Sequence, residues 1–291
     1  MKVYFDKNVL SHMICAQRGE KETHGVTKED VKALVNAVGL GKITSLLSIM
    51  HLQEAAYVLR ASSPEKAKEE LKLIRELMDT TQIIKPCGDL LSSDVIAYAR
   101  GEVLSSPLIP FAYDLWELFR PDGDIEERKQ ALNETDKQNE NLLQLFAEGK
   151  ENDRAYILEE FGGEKPDFRE FFNKKIHARI LQTVQNVENR TASKGLVDAC
   201  KMRGIREMAR IPSLLLAEGS SLSYQYARIF DEISEKRKKR RGDPSDLKHA
   251  LSASACDAFV THDDDFAFWI GRIPNRGIEV IDHVHKLVEL V

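Results

Sequence analysis

The chain has 291 residues, 42% hydrophobic and 31% charged, so it can bury a sizeable core and is not a disordered polymer. Its 42 Lys and Arg against 47 Asp and Glu leave a net charge of −5, which excludes a wholesale basic nucleic-acid coat but not a local basic patch. At about 150 residues per domain, the length suits two units or one core with a large insertion. No apolar run approaches the roughly 20 residues that span a bilayer. The opening Met-Lys-Val-Tyr-Phe-Asp has no apolar secretion signal, and Cys15, Cys87, Cys200 and Cys256 form no CxxC pair. The sequence therefore predicts a cytoplasmic chain with no membrane partner and with buried thiols rather than disulfides.

Val3, Tyr4 and Phe5 make a short β-prone run that stops at Asp6, as a buried strand does at its carboxyl end. A helix is predicted over 27–38, capped by Thr27 with Glu29 and Asp30 in its first turn. Residues 43–48 read as a second strand, leading into a helix over about 49–60. Ser63-Pro64-Glu65 opens a further helix to about Met78, and 81–85 reads as a third strand. This alternation predicts an α/β fold with a central parallel sheet. From Gly88 to Arg210 no convincing strand appears. There, Phe168, Phe171, Phe172, Ile176, Ile180, Leu181, Val184 and Val187 repeat at helical spacing, which makes the three phenylalanines core before they are base-stacking groups. A helix over 224–241, a second from Gly242-Asp243-Pro244 to about Ala255, a strand at 258–261, another at 278–281 and a closing helix at 284–290 follow. The expected organisation is a discontinuous core, 1–85 and 205–291, split by an all-helical insertion over 86–204.

The carboxylates concentrate at the predicted strand ends. In parallel α/β sheets, ligands bind beyond the carboxyl ends of the strands. Asp6 follows the first strand, Asp263, Asp264 and Asp265 follow the strand at 258–261, and Asp246 sits in the first turn of the helix opened by Asp243 and Pro244. Glu54 lies on an otherwise apolar stretch with Ala55, Ala56 and Val58, where an unpartnered charge is costly. Singly, each has a structural reading: Asp6 and Asp243 suit helix caps, one of the three adjacent aspartates suits a solvent-facing turn, and Glu54 suits an arginine partner. Together at one sheet edge they would repel unless a divalent cation neutralised them. Hard oxygen ligands favour one or two Mg²⁺ or Mn²⁺ ions, the chemistry of phosphodiester hydrolysis.

Phe5-Asp6-Lys7-Asn8-Val9-Leu10, the stretch Ser48 to Ala55 with its Glu54, Asp246-Leu247-Lys248-His249-Ala250 and Ala258 to Phe266 occur in an order that resembles the PIN-domain nucleases. The motifs lie at both ends of the chain, roughly 1–85 and 205–291. The long helical interruption departs from the family's compact members. The resemblance implies a three-layer α/β/α PIN-like fold, bound Mg²⁺ or Mn²⁺, and cleavage of single-stranded RNA. It makes Asp6, Glu54, Asp246 and Asp263 the metal ligands, Asp265 an auxiliary acid, and Asn8 and Thr261 hydrogen-bonding supports.

Lys236-Arg237-Lys238-Lys239-Arg240-Arg241 is the largest like-charge block and ends five residues before Asp246. It suits a solvated helix end, but its place before Asp246 better suits a phosphate-binding patch that orients a nucleic-acid strand over the acidic site. His249, one turn after Asp246, suits either a structural histidine or a group that orients a carboxylate, and His51 bears the same relation to Glu54. His283 and His285 read as surface residues near the C-terminus. The expected function is a metal-dependent endoribonuclease, a toxin or defence effector, with RNA favoured over DNA as partner. The insertion is a candidate surface for a homo-oligomer or an inhibitor such as an antitoxin. Two alternatives stay open: a structure-specific or single-strand DNA nuclease of the same fold, and a non-catalytic nucleic-acid-binding scaffold.

Overall fold

The structure is a computed structural model that describes residues 1–21, 24–52, 64–111, 150–230 and 243–291. Its centre is a six-stranded sheet in the order β4-β3-β2-β1-β5-β6, built from β1 (Lys2–Phe5), β2 (Thr44–Ser48), β3 (Met78–Ile84), β4 (Leu108–Pro110), β5 (Ala258–Val260) and β6 (Glu279–Ile281). All pairings are parallel except that of β3 with β4. Mixed α/β architecture with a mostly parallel sheet is thus present, as the alternation predicts.

β1 is apolar on both faces because it is covered on both. Val3 and Phe5 point into one hydrophobic cluster and Tyr4 into the other, and all three are essentially inaccessible to solvent. The first face is packed by α1 (Lys7–Arg18), α2 (Lys28–Gly39), α3 (Pro64–Leu77) and α12 (Val284–Glu289). Leu10 and Met13 of α1, Leu34 of α2, Ile74 of α3 and Leu287 of α12 meet there. The second face is packed by α4 (Cys87–Arg100), α6 (Phe168–Thr191), α9 (Pro212–Phe230), α10 (Asp243–Ala253) and α11 (Asp264–Gly271), with α5 (Lys150–Glu160), α7 (Leu196–Arg203) and α8 (Ile205–Met208) beside them.

Local signals explain several boundaries. Thr27 and Asp30 form a reciprocal capping box at the start of α2: Asp30 N–H donates to Thr27 Oγ1 at 3.1 Å and Thr27 N–H to Asp30 Oδ2 at 2.8 Å. Gly19, at φ 76°, ends α1 in the left-handed conformation that glycine adopts without a Cβ penalty. Gly219 lets α9 approach the segment after α11, since a Cβ there would lie 2.9 Å from Ile273 Cγ2.

Four features depart from the sequence-based expectation. α1 follows β1 directly, where no helix is predicted. α9 begins at Pro212, twelve residues before the expected start at Tyr224, and the residues after Asp263 form α11 rather than a turn. The region 86–204 is not wholly helical, because Leu108–Pro110 adds the antiparallel edge strand β4. Pro110 carries no N–H, and an edge is the sheet position that tolerates this.

The described helices of 86–204 share one hydrophobic cluster with the sheet: Phe171, Ile176, Ile180 and Val184 of α6 join Tyr4, Leu46, Ile84 and Phe259. Phe171 and Phe172 are buried core residues, as their spacing predicts. A shared core predicts coupled unfolding. Phe171→Ala, which empties a fully buried site, should lower the unfolding free energy by about 3–5 kcal/mol. Hydrogen exchange should then show lost protection in β1 as well as α6; loss confined to α6 would mean that the helices and sheet unfold separately.

Candidate active site

The sheet order reverses at β1: the chain proceeds outward through β2 and β3, then returns to place β5 and β6 on the other side. In open α/β sheets the crevice at such a reversal, outside the carboxyl ends of the two central strands, is where ligands bind. Here those strands are β1 and β5, paired in parallel with Phe5 beside Val260. The residues that follow them are Asp6 and Thr261-His262-Asp263.

Asp6 is 3% exposed and caps α1, its Oδ1 accepting from Lys7 N–H at 2.7 Å. Its Oδ2 accepts from the Thr261 hydroxyl at 2.8 Å, across 255 residues of chain. The same hydroxyl oxygen accepts from Asp263 N–H at 3.2 Å. Thr261, itself fully buried, therefore fixes both acids relative to one another. Asp263 is half-buried and caps α11, its Oδ1 accepting from Phe266 N–H at 3.0 Å. Asp6 thus serves as a helix cap, as the sequence allows, and Asp263 caps α11, which the sequence does not predict.

Asp246 lies on a helix that is tied to β1. It is half-buried on α10, and one turn later His249 Nδ1 lies 2.7 Å from Tyr4 Oη of β1. Tyr4 Oη is also 2.8 Å from Ser48 Oγ at the end of β2. His51 completes the network: its Nδ1 accepts from Ser48 N–H at 3.1 Å, so its Nε2–H donates to the Phe5 carbonyl at 2.6 Å. Tyr4, Ser48, His51 and His249 are each at most 1% exposed. These four buried side chains join β1, the end of β2 and α10. His249 and His51 are thus buried, hydrogen-bonded histidines.

Asp265 is half-buried in the first turn of α11, while Asp264 is exposed. Asn8 is exposed on the first turn of α1, and its side chain makes no hydrogen bond to another described residue. It does not share the supporting role that Thr261 has. Glu54 and the basic run Lys236, Arg237, Lys238, Lys239, Arg240 and Arg241 lie outside the described residues. Among the described residues no group of three or more His, Cys, Asp or Glu is already disposed to hold a metal ion. Those residues contain no helix long and apolar enough to cross a membrane. Cys200 and Cys256 are buried thiols, Cys15 and Cys87 are half-buried, and all four are unbridged.

A second group of side chains was not legible in the sequence. His12 of α1, His24 of the following loop, His262 after β5 and His283 and His285 at α12 form a contiguous cluster of imidazoles. His285 is exposed, as expected of a surface residue, whereas His283 is half-buried within the cluster. Burial, reinforced by His12, His24 and His283, holds His262 down at a pKa of about 3.

Compared with known proteins, the chain matches no family model, no curated protein and no solved structure.

Two predictions follow from this geometry. Thr261→Val keeps the shape and deletes the hydroxyl that bridges Asp6 and Asp263, and should lower the unfolding free energy by about 1–3 kcal/mol in urea titrations. His262 stays neutral when folded but charges near pH 6.5 when unfolded, so lowering the pH favours the unfolded chain. Between pH 7 and pH 5 this should remove about 2 kcal/mol of stability, and His262→Gln should flatten that part of the pH profile.

Proposed function

We propose that the chain is a metal-dependent endoribonuclease with a PIN-like three-layer α/β/α fold. The observation that carries this reading is the position of Asp6 and Asp263 beyond the two strands flanking the sheet reversal, tied together by Thr261. Asp246 lies on α10, which the His249–Tyr4 contact ties to β1, and in this reading it joins the two acids.

The donor chemistry fits a hard divalent cation. The acids are carboxylates, and Asp6 and Asp263 are each held by a backbone N–H at a helix start. Asp6, Asp246 and Asp263 would hold Mg²⁺ or Mn²⁺, joined by Glu54 if the family resemblance extends to it. Bound there, the ion would supply Lewis-acid activation of water and neutralise charge on the phosphate. The chain's own part is to keep the carboxylates aligned. Thr261 fixes Asp6 against Asp263, and the Tyr4–Ser48–His51–His249 network fixes α10 against β1. The run Lys236 to Arg241, close before Asp246 in sequence, is suited to hold the phosphate backbone of the RNA. A cytoplasmic toxin or defence role, with the helical region as a surface for an antitoxin or a second copy, belongs to this same proposal.

The test is cleavage of matched RNA and DNA panels by purified protein in Mn²⁺, with and without chelator. RNA cleavage that chelator abolishes, and that Asp6→Asn lowers at least about 100-fold while thermal stability is kept, is the expected result. Cleavage of DNA alone would replace the substrate. Metal-independent RNA binding without cleavage would make the chain a scaffold.

A further inference from the structure

Five of the chain's eight histidines, at positions 12, 24, 262, 283 and 285, gather at one place on the α1/α12 side of the β5 end. They come from four separate segments, so local sequence does not account for their meeting. His12, His24 and His262 form a triangle with ring centres 5.5, 5.0 and 4.7 Å apart, and His283 adds a fourth ring 5.0 Å from His24 and 6.1 Å from His262. Imidazoles bound tetrahedrally at about 2.0–2.1 Å place their ring centres roughly 5 Å apart. The observed spacing is that of a trihistidine metal site.

The nitrogens point the same way. His12 Nδ1 and His262 Nδ1 are 2.7 Å apart, a contact that two neutral imidazoles make only by sharing a proton that a cation can replace. His262 is 7% exposed, and its Nε2 is buried without a hydrogen-bond partner among the described residues. Such an orphaned nitrogen needs a water or an ion to satisfy it. His24 stands in the left-handed region, at φ 48°, a conformation few non-glycine residues adopt.

We propose that this cluster is a binding site for a borderline divalent transition-metal ion, Zn²⁺ in preference to Mg²⁺, held by His12, His24, His262 and His283. An all-imidazole donor set selects Zn²⁺, Co²⁺, Ni²⁺ or Cu²⁺ over the hard cations that carboxylates favour. Because the nitrogens do not already converge on one point, binding turns the rings about χ2, a soft torsion in histidine, and leaves their centres in place. The ion would clamp α1, the loop at His24, the β5 end and α12 together. His262 is the neighbour of Asp263, so the clamp would brace the carboxylate edge from the side opposite α10. The site stands on its own observations and does not depend on the nuclease reading.

Co²⁺ is the probe, added to untagged full-length protein. With excess Mg²⁺ present to occupy the carboxylate edge, the expected result is one Co²⁺ per chain with the absorption bands of a tetrahedral nitrogen-ligated ion, displaced by Zn²⁺. The double variant His24→Ala/His283→Ala removes two ligands outside the buried core, and circular dichroism checks that it folds. It should bind Co²⁺ at least about 100-fold more weakly and lose the rise in melting temperature that Zn²⁺ gives the wild type. Asp6→Asn should bind Co²⁺ as the wild type does. Absence of Co²⁺ binding, undiminished binding by the folded histidine variant, or loss of binding in Asp6→Asn alone would each overturn the proposal. RNA cleavage is read separately, so neither result decides the other.

Discussion

The position of β1 between β2 and β5 is the constraint on which the rest of the molecule depends. The strand is four residues long and nearly inaccessible, with side chains in the hydrophobic clusters of both sheet faces. Its neighbour β5 is made more than two hundred residues later, so the pairing closes the whole chain into a single sheet. A pairing so distant in sequence bears a large loop-closure cost, which the burial on both faces must offset. What emerges is a pair of strand ends held side by side, each followed at once by an aspartate-capped helix.

Burying carboxylates at that edge is unfavourable unless hydrogen bonds or charge satisfy them. The structure meets this demand by giving Asp6 and Asp263 backbone N–H donors at helix starts and by placing the Thr261 hydroxyl between them. Behind them, Tyr4 turns its polar end toward Ser48 and His249 instead of filling the core with hydrocarbon. A phenylalanine would fill the same space but take the hydroxyl away from buried Ser48 and His249. The hydroxyl is useful because it connects α10, and with it Asp246, to the central strand. The two sides of the sheet edge then differ in chemistry: carboxylates toward α10 and α11, imidazoles toward α1 and α12.

Much of this frame was legible in the sequence, and the illegible parts have physical reasons. The run Val3-Tyr4-Phe5 stopping at Asp6 announces a buried strand end, and Thr27 with Asp30 announces a capped helix; both are local patterns. α1 is harder to read, because Val9, Ile14, Ser11, His12 and Cys15 are weak helix formers and its stability comes from the Leu10 and Met13 contacts with the sheet. β4 has three residues, one of them proline, and so carries no periodicity to detect. The acids at strand ends could be found because each follows its own strand. The Tyr4–Ser48–His51–His249 network and the five-histidine cluster join residues far apart in sequence, with no shared motif, and only the fold reveals them.

The central claim is that the crevice between the ends of β1 and β5 is a cation-binding catalytic edge. Titration of isotope-labelled protein with substoichiometric Mn²⁺, followed by paramagnetic broadening of backbone amide signals, tests it most directly. The account predicts selective loss of the Lys7, Thr261 and Asp263 amides, whose groups border the two aspartates. Broadening centred on His24 and His283, or spread over the surface with those three amides untouched, would contradict it.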